Sequence, residues 1–439
     1  MVTPLASLIK NASFVLTRQV ASGLIQLVAL AIIGRHYGIE GSGIYAMAIL
    51  VQALFAALLN LGIAPSNVYF IGSKKISAAT ALRTSFKICF FVSMIGIPLG
   101  IATVKLAGAK YLPGVPEGVA LIAFAAFPIN LLQGYLASIL HGLQKFNKLN
   151  AVLLAQPVIF FISILILVGI GSSSISQLVG CYVVSATVSL AITIFVVSGY
   201  VRREPPGGDP GYTAKAINYG YKANFSNLLA FINYRADIFL VNFFLGPLSS
   251  GVYIIAIKIS ERLWLVSQSV ATALLPRLSE LSVQEEGGKS LTPVVTRSVL
   301  WGTVAMCLVL GLFASPAVVI IFGKDFSGAV TPLLLMLPGV AFVSASRIIA
   351  SDFAARGKPE WNLYTAGAAT VINLIGNVLL IPRYGLAGAA TSTSFAYGIN
   401  LSIKLWVYMK ITKLPLTSLL ILEKSDIEKV KSVIYPKGN

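Results

Sequence analysis

Apart from the basic residues assigned to the loops, six lie within or at the ends of long apolar stretches of this sequence: Arg18, Arg235, Lys258, Arg262, Arg347 and Lys404. A charge in hydrocarbon costs about 2.5–3.5 kcal/mol on insertion scales, so a membrane helix keeps one where it faces a wet cavity or a partner. Basic groups in such a place favour an anionic ligand, and the planar guanidinium of arginine suits phosphate. The chemistry these residues predict is therefore the binding of an anion inside a membrane.

The six basic residues differ in their predicted depth in the membrane. At a rise of about 1.5 Å per residue, Arg235 and Arg262 lie roughly 16 Å inside the nearer outer ends of their apolar stretches, close to mid-bilayer. Lys258 precedes Arg262 by four residues and shares its helical face, while Arg18 lies about two turns from the cytoplasmic end of its stretch. We predict that these four line an anion site. We expect Arg347 and Lys404, close to cytoplasmic ends, to extend towards the interface instead.

Acidic residues are scarcer in the apolar stretches. Asp237 and Glu261 lie clearly inside them, and Asp352 lies at an end. Arg235 with Glu261, or Asp237 with Arg262, can form ion pairs that only lock the packing of adjacent helices, and this alternative stays open for each pair. Two acids cannot neutralise four deep cations, so we expect net positive charge to remain. Asp237 and Glu261 are also candidates for coupling to an ion.

The elements that position these residues follow from composition. Of 439 residues, 56% are hydrophobic and 11% charged, whereas soluble domains have about 25% charged residues. A soluble domain is thereby excluded, and unbroken apolar runs of about 20 residues predict membrane-spanning helices rather than a β-barrel. Twelve spans are predicted: 12–36, 44–70, 86–106, 117–140, 151–171, 175–200, 217–246, 251–276, 297–322, 328–352, 361–382 and 386–411.

Basic residues are distributed unevenly between alternate loops, 22 on one side against 5 on the other. Because short cytoplasmic loops carry the positive excess, both termini are predicted to be cytoplasmic. Much of the net charge of +18 is therefore a topology signal, and no nucleic-acid partner is required. The first run is too long for a signal peptide, so we expect it to be retained as a span.

A hydrophilic segment divides the chain nearly in half. The predicted organisation is a first six-helix bundle at 1–200, a cytoplasmic linker at 201–216, a second bundle at 217–411 and a cytoplasmic tail at 412–439. Gly246…Gly251-Val-Tyr253 repeats Gly38…Gly43-Ile-Tyr45 at a constant offset of 208 residues. Because six spans are an even number, this predicts a parallel repeat with substrate between the halves. Residues 416–434 have the spacing of an amphipathic interfacial helix, and a weakly ordered tail is the alternative.

Uncharged polar residues also occur in the spans, among them Gln52, Asn130, Gln156 and Tyr182. Together they suggest a wet interior suited to sugar, although hydrogen bonding between helices explains most single positions better. The sequence has no metal-ligand spacing and no phosphate-binding glycine loop. We therefore expect no enzyme activity and no cofactor, and energy from an ion gradient, of protons or sodium, or from the substrate's own gradient.

Several motifs resemble the polysaccharide-exporter branch of the multidrug/oligosaccharidyl-lipid/polysaccharide (MOP) transporter superfamily, in particular the Wzx-type O-antigen or capsule-repeat flippases. They are the segments 234–241 (Tyr-Arg-Ala-Asp-Ile-Phe-Leu-Val), Gly251-Val-Tyr253, Gly43-Ile-Tyr45, Leu61-Gly62-Ile63 and Phe322-Gly323-Lys324-Asp325-Phe326. The resemblance covers nearly the whole chain. Arg235 and Asp237 match the family's Arg-x-Asp in the seventh span.

The resemblance implies an all-α, MATE-like membrane protein with two six-helix bundles around a central cavity. It implies alternating access and the transfer of a polyprenyl-pyrophosphate-linked oligosaccharide across the inner or plasma membrane of a prokaryote. Membrane lipids would surround the tail of that substrate, and a polysaccharide polymerase and a chain-length regulator are candidate partners. Two alternatives remain: a cation-coupled multidrug antiporter, which the absence of an acid in the first-half spans disfavours, and an integral-membrane polymerase or glycosyltransferase, which needs a larger external loop.

Overall fold

The computed structural model describes residues 4–202, 211–281, 287–358 and 360–423, and within these ranges the regular structure is helical. The α-helices are α1 Pro4–Leu59, α2 Ile63–Gly72, α3 Ala78–Tyr111, α4 Glu117–Phe124, α5 Ala126–Gly142, α6 Phe146–Gly169, α7 Ile175–Val201, α8 Tyr212–Leu281, α9 Gly287–Phe322, α10 Val330–Ala355, α11 Glu360–Thr412 and α12 Leu416–Leu420. A 3₁₀ helix, Lys324–Ala329, precedes α10. The all-α membrane fold predicted from the sequence is confirmed.

Nine helices of the described ranges are long and apolar enough to cross a membrane. Three of these candidate spans are roughly twice the usual length, namely Thr17–Leu59, Asn227–Thr272 and Glu360–Thr412, and each overlaps two of the predicted spans. Every predicted span thus overlaps one of the nine helices. The chain is a multi-pass membrane protein, and the count of twelve crossings stays a prediction.

Each of the three long helices contains one glycine with a non-helical backbone: Gly38 at φ 73°, Gly246 at φ 79° and Gly385 at φ 59°. At Gly38 and Gly246 the ψ angle is close to 180°, a combination that is essentially restricted to glycine because a Cβ would clash. These two glycines are the first residues of the sequence echo. The echo therefore has a structural counterpart, a kink at the same position in both copies.

The second predicted span, 44–70, is not one continuous helix. Helix α1 ends at Leu59 and α2 begins at Ile63, with Leu61 and Gly62 at φ 53° and 69°. A Cβ on Gly62 would lie 1.9 Å from the carbonyl oxygen of Gly220, so the two backbones touch at this point. The expectation of an unbroken span is wrong here, because the close approach to α8 needs glycine in an open turn.

The described chain forms two compact units. Unit 1 comprises residues 1–255 and 319–326, and unit 2 comprises 256–318 and 327–439. In unit 1 a buried apolar cluster joins α1, α6 and α7, with Ile33, Phe160, Ile164 and Leu178 at its centre. In unit 2 one such cluster joins α9, α10, α11 and α12. The predicted division at 201–216 is not tested by these units and stays a prediction; residues 203–210 lie outside the described ranges.

Large apolar side chains point away from these clusters. Leu106 of α3, Phe195 of α7 and Leu312 of α9 are 88%, 79% and 80% exposed. Such exposure is unfavourable in water and natural in a bilayer, where lipid solvates the outer faces of the helices. The predicted interfacial helix at 416–434 is described as helical only over Leu416–Leu420, and residues 424–439 lie outside the described ranges.

Candidate functional site

The basic residues of unit 2 that the sequence singled out, Lys258, Arg262, Arg347 and Lys404, are carried by α8, α10 and α11. Lys258 and Glu261 of α8 form an ion pair across one helical turn, with Nζ 3.2 Å from Oε2. Glu261 is therefore engaged by a cation of its own helix. This pairing uses one of the two acids that the sequence places deep in the spans.

Arg262 follows directly on the same helix and is partly buried. Its Nε atom is buried and has no hydrogen-bond partner among the described residues. No ion pair of Arg262 with a described carboxylate occurs either. A buried guanidinium N–H without an acceptor is costly, so it is well suited to an anionic ligand.

Arg347 of α10 lies against the aromatic part of α8. Its Cζ is 4.9 Å from the centre of the Trp264 ring, and its Nη1 makes long hydrogen bonds of 3.5 Å to Trp264 O and 3.4 Å to Gln268 Oε1. The ring of the buried Tyr397 of α11 lies 6.1 Å from that of Trp264 at an angle of 70°. The Trp264 ring therefore contacts a cation and packs against a buried tyrosine.

Lys404 of α11 does not extend towards the interface, contrary to the expectation from its position near the helix end. It is only 7% exposed, and its Nζ donates to Ser346 Oγ at 3.0 Å and to Ser346 O at 3.5 Å. The side chain is buried because Lys404 lies on the face of α11 that packs against α10. Arg347, predicted alongside it, is half-buried and held by Trp264 rather than extended outward.

The charge of unit 2 is unevenly balanced. Asp352, which is buried, accepts hydrogen bonds from Arg356, one turn away on α10, and from Thr292 of α9. Glu261 is paired with Lys258. Within the described part of unit 2, Arg262, Arg347 and Lys404 form no ion pair with a carboxylate. Positive charge therefore exceeds negative charge among these residues of unit 2, and the anion site predicted for Arg18, Arg235, Lys258 and Arg262 stays a prediction.

Unit 1 contains the other predicted residues. Arg18 of α1 is half-buried, and its Nε is buried without a hydrogen-bond partner among the described residues. Arg235 of α8 is half-buried and donates to Tyr234 O at 3.2 Å. Asp237 is 3% exposed and accepts hydrogen bonds from the Ile238 N–H at 2.8 Å and the Tyr253 hydroxyl at 3.0 Å.

Several of the uncharged polar residues meet in unit 1. Asn130 Nδ2 donates to Gln52 Oε1 at 3.2 Å and to the Tyr182 hydroxyl at 3.1 Å, and Gln156 also hydrogen-bonds that hydroxyl. These residues come from α1, α5, α6 and α7. Their amides satisfy one another, so for these positions hydrogen bonding between helices is the better interpretation.

Asn67 is a polar centre that the sequence did not reveal. Its Nδ2 donates to Ser85 Oγ, Ser138 Oγ and Tyr135 O at 3.1–3.3 Å, and its Oδ1 accepts from the Tyr212 hydroxyl at 2.8 Å. Burial raises the pKa of the Tyr212 phenol, which keeps it a donor. Small polar residues are common in apolar spans, so the sequence does not single these out. The network is recognised only from the positions of the side chains in the folded structure.

Residues 8–282 match the model of a protein family described as polysaccharide biosynthesis protein. The chain belongs to this family. Two relatives match this chain over different lengths. A candidate O-antigen transporter of Shigella flexneri is 25% identical over 434 residues, which cover 92% of this chain and 98% of that protein. A candidate flippase of low-salt glycan biosynthesis from Haloferax volcanii is 26% identical over 42% of this chain and 39% of its own length.

Solved structures share the fold at low sequence identity. The lipid II flippase MurJ in an inward closed conformation superposes with a TM-score of 0.78 at 15% identity, covering 96% of this chain and 92% of that one. An inward-facing multidrug resistance MATE family transporter of the MOP superfamily gives 0.73 at 14% identity, with 89% and 95% coverage. The MATE-like fold predicted from the sequence is thereby confirmed. The family match and the relative from Shigella flexneri agree with the predicted resemblance to the polysaccharide-exporter branch, and the two relatives named above are described as a transporter and a flippase.

Proposed function

We propose that this protein is a flippase that moves a polyprenyl-pyrophosphate-linked oligosaccharide from the cytoplasmic to the outer leaflet for surface polysaccharide biosynthesis, by alternating access. Membership of the polysaccharide biosynthesis family and the similarity to a candidate O-antigen transporter support the substrate class. The observation that carries the proposal is the set of buried cations in unit 2 that have no described carboxylate partner. Such a site suits a pyrophosphate and repels the cationic compounds typical of drug export.

Arg262 has the leading role in this proposal. Its buried Nε has no acceptor among the described residues, so a pyrophosphate oxygen would complete its hydrogen bonding and neutralise its charge. Lys258, one turn before it, contributes a second positive charge, held in place by Glu261 at 3.2 Å. Arg18 and Arg235 stay predictions from the sequence as further ligands of the headgroup.

The aromatic surface next to Arg347 suits the saccharide. Tyrosine and tryptophan rings offer apolar faces for the C–H faces of a sugar, and their polar edges hydrogen-bond hydroxyl groups. Trp264, which is half-buried, supplies such a ring in unit 2, and the buried Tyr397 packs against it edge to face. The polyprenyl chain needs no protein site, because membrane lipid solvates it.

The candidates for ion coupling, for partner proteins and for location follow from the sequence. Asp237 and Glu261 remain the candidates for coupling to protons or sodium, and no organic cofactor is proposed. A polysaccharide polymerase and a chain-length regulator remain candidate partners, since a translocated repeat unit must be polymerised. The inner membrane of a prokaryote, with both termini in the cytoplasm, remains the proposed location.

The test uses a host strain from which the gene has been deleted. Lipid-linked saccharide on the cytoplasmic face, lipid-linked saccharide on the outer face and surface polymer are quantified together. Accumulation on the cytoplasmic face with loss of surface polymer is the expected result, restored by the wild-type gene and by Lys410→Met, a control at an exposed lysine. Arg262→Ala should fail to restore transport at equal membrane level. Unchanged saccharide pools with reduced drug tolerance would instead identify a drug antiporter.

A further inference from the structure

The C-terminal ends of α2 and α5 lie side by side in unit 1. A Cβ built on Gly142, the last residue of α5, would lie 2.8 Å from Ile71 Cβ. A Cβ built on Gly72, the last residue of α2, would lie 3.9 Å from Gly142 O. The connections that leave the two helices therefore start next to each other, at an end of unit 1 that the sequence predicts to be cytoplasmic.

Each of these two helices ends in a Schellman turn, and a lysine follows the turn. The backbone N–H groups of Lys75 and Lys145 each donate at 2.9 Å to the carbonyl five residues earlier. The residues before them, Lys74 and Gln144, have left-handed backbones with φ of 55° and 56°, as this turn requires. The turns thus fix the lysine backbones at the helix ends, where Lys74, Lys75 and Lys145 are exposed, as is Lys148 three residues further on.

Three of these lysines occupy positions where the local structure favours other residue types. Lys74 has the left-handed backbone for which glycine or asparagine is usual. Lys145 is the N-cap residue of α6 and makes no side-chain capping hydrogen bond, in a place where serine, aspartate or asparagine is preferred. Lys148 lies in the first turn of α6, where the partial positive charge of the helix end repels a cation and no acidic residue offsets it. An anion bound from outside the chain would explain lysine at these positions.

The exposed Lys74, Lys75, Lys145 and Lys148 are called here the basic end of unit 1. Among the residues that the structure describes, no carboxylate forms an ion pair with any of these lysines. The described acidic residues of unit 1 lie in other segments of the chain: Glu40, Glu117, Asp237 and Asp325. The four positive charges are therefore not compensated within the described part of unit 1.

Tyrosine side chains lie next to the lysines of the basic end. Tyr69 and Tyr219 are 42% and 41% exposed, and their rings stack 4.7 Å apart at an angle of 11°. Lys75 Nζ lies 3.2 Å from the Tyr69 hydroxyl oxygen and 5.0 Å from the centre of that ring. Lys145 Nζ lies 5.9 Å from the centre of the Tyr200 ring. Because tyrosine is enriched at the headgroup level of a membrane, the lysines beside these rings lie at the depth of lipid phosphates.

We propose that the basic end of unit 1 binds anionic phospholipids, through contacts of its lysines with the headgroup phosphates. Clusters of basic residues beside the ends of membrane helices attract anionic lipid, and the bilayer supplies that anion at this level. A phosphate there would also offset the positive end of the α6 dipole. The exposed tyrosines favour a membrane surface over an acidic protein, since their rings suit the boundary between lipid and water. This site is separate from the transported substrate, so it does not depend on the proposed flippase function.

The test titrates the purified full-length protein in detergent with phosphatidylglycerol, and with phosphatidylcholine as the zwitterionic lipid, and counts bound lipid by native mass spectrometry. The wild type should bind phosphatidylglycerol more tightly than phosphatidylcholine, and added salt should weaken this preference. Lys75→Gln/Lys145→Gln should lower the affinity for phosphatidylglycerol by about fivefold for each lysine removed. Its thermal midpoint in phosphatidylcholine should stay unchanged, because these side chains do not stabilise the helices.

Lys105→Gln/Lys110→Gln is the matched control, since it removes the same charge from two exposed lysines near the other end of α3 and should keep the wild-type affinity. Lys75→Arg/Lys145→Arg keeps the charge and should also bind as the wild type does, which guards against a loss caused by misfolding. Equal affinity of the wild type for the two lipids, or equal weakening by the control pair, would overturn the site. Binding of polyglutamate through Lys75 and Lys145 without a preference for phosphatidylglycerol would overturn it in favour of an acidic protein partner.

Discussion

Gly43 and Gly251 lie back to back in unit 1. A Cβ built on Gly43 would lie 3.0 Å from the backbone nitrogen of Gly251, and one built on Gly251 would lie 3.1 Å from that of Gly43. These residues occupy the same position in the two copies of the sequence echo. The two copies therefore contact each other directly, at a place where neither tolerates a side chain.

Alanine at this contact should destabilise the protein. A Cβ on Gly43 would lie 1.8 Å from Pro247 O, and one on Gly251 would lie 2.1 Å from Ile39 O. Backbone atoms cannot move aside cheaply, so we expect Gly43→Ala and Gly251→Ala each to cost about 1–3 kcal/mol. The measurement is the thermal midpoint in detergent. Gly134→Ala serves as the control, because nothing lies within 4 Å of its Cβ position, and an unchanged midpoint for both contact variants would contradict the close approach.

Alanine at the kink glycines, Gly38 and Gly246, should destabilise the protein for a different reason. No atom lies within 4 Å of a Cβ at Gly38 or Gly246, so alanine there meets no clash with a neighbour and is unfavourable only because of the positive φ. We expect about 1–3 kcal/mol of destabilisation for each. Gly38→Asn should destabilise the protein as much as Gly38→Ala, because asparagine is tolerated in the left-handed helical region and not at the ψ of −174° that Gly38 adopts. Equal stability of the wild type and Gly38→Ala would show that α1 can be straight here.

The Asn67 network should behave as a structural centre. Asn67→Leu removes the acceptor of the Tyr212 hydroxyl and the amide that donates to Ser85 and Ser138, all in a buried place, and we expect a loss of about 1–3 kcal/mol or more. Tyr212→Phe removes one hydrogen bond and should cost about 0.5–1.5 kcal/mol. Chemical unfolding of the two variants checks this order, which would be wrong if Tyr212→Phe were the more damaging substitution.

Substitution of Arg262 should reduce transport without reducing stability. Because its buried Nε has no described partner, Arg262→Met is expected to leave the thermal midpoint unchanged or raised while saccharide transport falls at least tenfold. Arg297 provides the contrast: its Nη1 bonds Ser418 O and Glu423 Oε1, each at 2.9 Å, so Arg297→Met should lower stability. Loss of stability in Arg262→Met at full transport would identify Arg262 as a packing residue.

The helices were predictable because lipid imposes a length and a polarity on every span. The direction in which a side chain points was harder to predict from the sequence. Counting residues from the helix end put Lys404 within reach of the interface, yet that count does not say which face the side chain occupies, and here it faces α10. The contact of Gly43 with Gly251 was beyond the sequence for a similar reason. The echo revealed two equivalent positions, and only the packing shows that they meet.

The deep acids illustrate a further limit. Glu261 was considered as a partner for a cation on another helix, but Lys258, three residues away on α8, satisfies it at 3.2 Å. Local pairs of this kind follow from helical spacing alone and are as easily found as distant ones. Asn67 could not be singled out, because asparagine in an apolar run is common and its partners come from three other helices.

The segment that follows α11 is attached chiefly through its main chain. Arg297 donates to Ser418 O and Trp301 Nε1 donates to Leu420 O at 2.7 Å, and every residue type offers such a carbonyl. Leu419, fully buried, is the side chain that the cluster of α9, α10 and α11 receives. Natural variants of this protein can therefore carry substitutions at most positions of 416–420 and keep the attachment, provided that a residue of leucine size stays at 419. Sequence variation in this segment indicates tolerance of substitution and not the loss of a role.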